Sequence, residues 1–103
     1  MSMKKLLIIA AMFSSQALAD CNTVEQLARA MMKARQAGMP ASEVVQVIEA
    51  QNEPESTKKA MKSLLVEAYK LPRFNGEKFQ ENAINDFAND WYVMCLAGET
   101  SKA

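Results

Sequence analysis

Two cysteines are the residues with the most chemistry to offer, and their spacing decides which chemistry that is. Cys21 and Cys95 stand near opposite ends of a 103-residue chain, without the Cys-x-x-Cys spacing of a redox dithiol or a zinc site. That arrangement reads as a structural disulfide. The chain has no histidine, which removes the commonest general base and the commonest transition-metal ligand. Ser-His-Asp and Cys-His nucleophilic machinery is thereby excluded. Gly38, Gly76 and Gly98 are the only glycines, all at expected helix ends, so no glycine-rich loop cradles phosphate. The composition points away from an enzyme and implies no metal and no cofactor.

Three polar or aromatic groups remain. Asp86 and Asp90 lie one helical turn apart, whereas a glycosidase needs carboxyls facing each other across a cleft and calcium wants a glycine-containing loop. They read first as the solvated back of an amphipathic helix. Asp90 falls in the half of its expected helix where the dipole disfavours acids, so Arg73 or Arg35 is the expected compensating cation. Lys58, Lys59 and Lys62 form a small basic patch diluted by Glu55 and Glu67, a solvated face rather than a ligand site. Tyr69, Arg73 and Phe74 cluster at a helix junction, and aromatic and arginine side chains are the usual anchors of protein interfaces. The candidate interaction surface is therefore Tyr69, Arg73, Phe74, Asp86 and Asp90.

The beginning of the chain says where it works. Lys4 and Lys5, an apolar run from Leu6 to Phe13, and Ala17-Leu18-Ala19 make the three parts of a secretory signal peptide. The run is about half the roughly 20 residues that span a bilayer, so a membrane anchor fits less well. Lipidation at Cys21 fits less well too, because Asp20 stands where a lipoprotein has a small residue. Cleavage after Ala19 leaves a chain from Asp20 in the periplasm or outside the cell. Removing Lys4 and Lys5 from twelve basic and twelve acidic residues leaves a net charge of −2, which gives no footprint for nucleic acid. So short a chain makes one domain with a small core. A bridge closing a loop of about 75 residues contributes roughly 4 kcal/mol on the chain-entropy estimate.

Four amphipathic helices are expected to position these groups, packed as an all-α compact bundle whose two ends are joined by the disulfide. The first starts just after Cys21, capped by Asn22 or Thr23; Val24, Leu27, Ala28, Met31 and Ala34 point inward, and Arg29, Lys33 and Gln36 outward. Gly38 and Pro40 end it. The second, about Ala41 to Gln51, is rich in β-branched residues but keeps helical spacing at Ala41, Val44, Val45 and Ile48. The third runs from Glu55 or Ser56 to Lys70, with Met61, Leu64, Leu65, Ala68 and Leu71 inward, a Glu55–Lys59 pair outside, and Pro72 as its stop. The fourth, Gly76 to Leu96, is the expected core, with Phe79, Ala83, Phe87, Trp91 and Cys95 on one face beside Ile84 and Ala88. Asn75 caps it, Phe74 and Phe79 form a hydrophobic staple, and Gly98 stops it, leaving a loose tail from about residue 98.

The segments Ala34-Arg35-Gln36-Ala37-Gly38, Glu67-Ala68-Tyr69, Pro72-Arg73-Phe74 and Asp86-Phe87-Ala88-Asn89, with Cys21 soon after the signal, carry a resemblance. In them the chain resembles a loose group of small exported helical proteins of proteobacteria and their phages. The resemblance implies a stapled helical fold and supplies no activity. The expected function is a non-enzymatic, protein-binding module of the cell envelope, which in phage-borne form would block an envelope target. The alternative is a periplasmic stress chaperone of the acid-induced type, to which the chain is similar only in size and class.

Overall fold

The computed structural model describes residues 20–102, with side chains described as far as residue 98. The signal-peptide reading therefore lies outside the described residues. Four α-helices follow one another among the described residues: α1 (Cys21–Gln36), α2 (Ala41–Ala50), α3 (Glu55–Tyr69) and α4 (Glu77–Lys102). No strand occurs among the described residues, so the β-branched run of α2 is helical. Its Val44 and Ile48, one turn apart, are the pair it buries, and a lone segment has no strand to pair with in any case.

α1 is the middle of the molecule. It packs most extensively against α4, then against α3, while α2 packs on α3. The Cys21–Cys95 bridge and a 2.6 Å hydrogen bond from Arg29 to Asn85 set α1 and α4 antiparallel. The core joins Leu27, Ala28, Met31 and Met32 of α1 to Val44 and Ile48 of α2, to Met61, Leu64, Leu65 and Ala68 of α3, and to Phe87 of α4. Expecting the last helix to be the core is thus corrected. Among its described residues, only Phe87 and Ala88 are fully buried, with Ala83, Ile84 and Trp91 half-buried against the cluster. A helix flanking a bundle buries a stripe, whereas one in the middle buries most of its circumference. α1 accordingly also buries Met32, Thr23 and Gln36, which a single stripe would have left outside.

Helix ends supply further corrections. α1 is capped by Asp20, whose carboxylate accepts from the Asn22 N–H at 3.0 Å, so Asn22 and Thr23 lie inside the helix. At the other end Gly38, at φ 83°, closes α1, with Met39 N–H donating to the Ala34 carbonyl and Gly38 N–H to that of Arg35, both at 3.0 Å. This is the double-bonded C-terminal motif that glycine favours. α4 begins one residue later than expected, its first bond running from the Gln80 N–H to the Gly76 carbonyl at 3.1 Å. Phe74 stays exposed and Phe79 is 64% exposed, so these rings make no buried staple. Leu71 is exposed as well. α4 also runs through Gly98, which keeps a negative φ, to Lys102, so Gly98 does not stop it. Glycine permits a left-handed stop without enforcing one.

Candidate functional site

The α1–α3–α4 end of the bundle is built on Gln36. Its side chain is 2% exposed and saturated with partners. Nε2 donates to the Pro72 carbonyl at 3.0 Å and contacts the Met32 sulfur at 3.4 Å, and Oε1 accepts from the Phe74 N–H at 2.9 Å. The Gln36 carbonyl accepts from Arg73 Nε at 2.8 Å, placing a cation at the negative end of the α1 dipole. Arg35 Nε donates to the Leu71 carbonyl at 3.0 Å, and its guanidinium lies 5.3 Å from the Tyr69 ring centre, a cation–π distance. Tyr69 Oη donates to the Met39 carbonyl at 2.6 Å. Burial pushes the Tyr69 hydroxyl above its ordinary range, opposed by the charge of Arg35 and reinforced by that of Glu43. Two segments that carry the resemblance, 34–38 and 72–74, thus dock on each other.

Of the five candidate interaction residues, the structure gives Tyr69 and Arg73 internal tasks. Arg73 and Phe74 are exposed all the same, and Tyr69 is half-buried. Neither Arg35 nor Arg73 reaches Asp90 in an ion pair among the described residues. Nor does Asp90 need one for the reason expected. With α4 extending to Lys102 it sits near mid-helix, beyond the last turn in which the dipole acts. Asp86 is exposed.

The basic patch on α3 is likewise partly spent. Lys58 Nζ donates to the Glu49 carbonyl at the end of α2 at 3.1 Å, and Lys62 hydrogen-bonds the Glu49 carboxylate. Those contacts hold the Glu49 carboxyl below its ordinary range, the Lys62 hydrogen bond being the main cause. Glu55 pairs with Lys58 at 3.9 Å rather than with Lys59, which stays exposed.

What the sequence missed is the face on which Trp91 sits. Trp91 meets Phe87 edge-on, with ring centres 6.2 Å apart, and its half-buried indole is shared by three depressions, two along α3 and α4 and one that also reaches α1. One, of about 460 Å³, is bordered by Lys59, Lys62, Ser63 and Val66. A second has Val24, Ala60 and Leu64 as its floor, and a third lies among Lys70, Leu71, Asp90 and Met94. Val66 and Met94 on the rim are 54% and 53% exposed. The arrangement is open, apolar at its centre and charged at both ends. Among the described residues no group of three or more Cys, Asp or Glu is placed to hold a metal. The signal was present in the sequence: Val66 and Met94 interrupt the polar sides of their helices. A second apolar opening, about 230 Å³, lies between α1 and α2, lined by Met31, Met39, Val47 and Met61.

Compared with known proteins, the chain matches no family model, no curated protein and no solved structure.

Proposed function

We propose that this chain is a non-enzymatic protein-binding module of an oxidising, extracytoplasmic compartment, and that it binds through the α3–α4 face around Trp91. One observation carries the reading. An indole that a closed core would cover lies half-open in a shallow groove, with Val66, Leu71 and Met94 exposed around it. Tryptophan at the centre of an apolar patch with a charged rim is the composition of interface hot spots, and exposed apolar side chains gathered on one face mark interaction sites. The disulfide fits an oxidising location. Among the described residues no helix is long and apolar enough to cross a membrane. The histidine-free composition supports a binding rather than a catalytic role.

A photo-crosslinking residue at position 66 or 94, set against controls at Glu25 and Gln46 on other faces, tests the assignment in cells. Discrete adducts at 66 and 94 with none at the controls are expected. Equal labelling at all four positions, or none at any, would refute it. Intact mass of the protein recovered from the envelope tests the compartment. A chain beginning at Asp20 and two hydrogen atoms lighter than its reduced form is the expected product.

A further inference from the structure

The groove's charge pattern is specific enough to name an occupant. Around Trp91 two side chains remain outside any ion pair among the described residues, and they have opposite sign. Lys59 borders the depression toward the start of α3, and Asp90 borders the one toward its end, beside Leu71. The other charges on the rim are already matched, Lys62 with Glu49 and Lys70 with Glu67 at 2.7 Å. The face therefore runs from an uncompensated positive end, across an apolar centre of Trp91 and Val66, to an uncompensated negative end. A surface of that kind is complementary to itself turned through 180°. In a two-fold interface residue i meets j and j meets i, so Lys59 would face Asp90 of the second copy twice, while the two Trp91 faces close the centre.

We infer that the α3–α4 face pairs two copies of this chain, through reciprocal Lys59–Asp90 contacts about a two-fold axis near Trp91. The inference rests on the proposed protein-binding role of this face and names the partner as a second copy. Charge pairs at the rim fix register and partner choice more than affinity, and the apolar centre supplies the attraction.

Charge reversal with exchange tests it. Lys59 and Asp90 are both exposed, so K59D and D90K fold, which circular dichroism melts on the oxidised protein verify. By sedimentation equilibrium, the wild type is expected to self-associate to twice its monomer mass. Each single variant then meets itself with like charges on both sides, raising its dissociation constant by roughly tenfold to a hundredfold. An equimolar mixture of K59D with D90K restores the dimer, because every Asp then faces a Lys. A wild type that stays monomeric to about millimolar concentration overturns the self-pairing and leaves the protein-binding reading to the crosslinking experiment. A dimer indifferent to both reversals and to W91A overturns the self-pairing too, since association would then use another surface. Recovery in the mixture is the result that only a reciprocal interface gives.

Discussion

Gln36 shows how much of this small protein hangs on a single polar side chain. Its amide satisfies a donor and an acceptor of the Pro72–Phe74 link, which otherwise would be left part-buried without partners. Removing one partner from such groups costs about 1–3 kcal/mol each, so Gln36→Ala is expected to lower unfolding free energy by roughly 2–6 kcal/mol in urea titration. Tyr69 makes a pH-dependent contribution nearby. Its hydroxyl is held neutral, above its usual range, while donating to Met39. A raised folded-state value means the contribution is full below the unfolded value of about 10 and is lost as pH rises through the folded one. Thermal melts of the wild type and Tyr69→Phe should therefore differ below about pH 9 and converge in stronger alkali.

At the scale of the helices, two junctions decide how the elements lie. α2 carries no basic residue in its last turn, and α3 supplies the missing cations from Lys58 and Lys62. Glu49 is ionised more readily in the folded chain than in the unfolded one. Its contribution is present above the ordinary carboxylate value of about 4.3 and disappears as pH falls through the lower folded value. In melts from pH 7 to pH 3, Glu49→Gln should thus lose stability relative to wild type near neutrality and none in acid. Gly98 bears on the opposite end. It is helical, and a Cβ there meets nothing within 4 Å, so Gly98→Ala is expected to stabilise by up to about 1 kcal/mol in urea titration. Were Gly98 a left-handed stop, the same change would destabilise. Helix positions were legible because period-3.6 patterning and Gly38, Pro40 and Pro72 mark them locally. The exposure of Phe79 and Leu71 was not, because a stripe says nothing about where the neighbouring helix stops covering it, nor was the path through Gly98, because glycine permits a stop without enforcing one.

For the whole molecule, the bridge and the core divide the work. An all-α bundle with its ends joined could be read from two cysteines and four stripes, since burial of the stripes and oxidation of the pair leave few alternatives. The centre could not. Whether a helix is flanked on one side or two depends on the packing of all four, and the aromatic wealth of α4 does not encode it. The Trp91 groove was hidden for the same reason, because Trp91 is half core and half surface. Reducing the Cys21–Cys95 bridge, or replacing both residues by Ser, should cost roughly 4 kcal/mol and shift the urea midpoint accordingly.

The central position of α1 has a consequence in time rather than in space. Of the described helices, the one made first has as its main partner the one made last, 56 residues apart at the Arg29–Asn85 contact. A chain emerging from its amino end can form α1, α2 and α3 with only part of the apolar circumference of α1 covered. The pairing with the greatest loop-closure entropy must come late. Until α4 arrives, the α1 surface that will hold it stays open to any other apolar segment nearby. The sulfur bond that records the finished register can be drawn only after that.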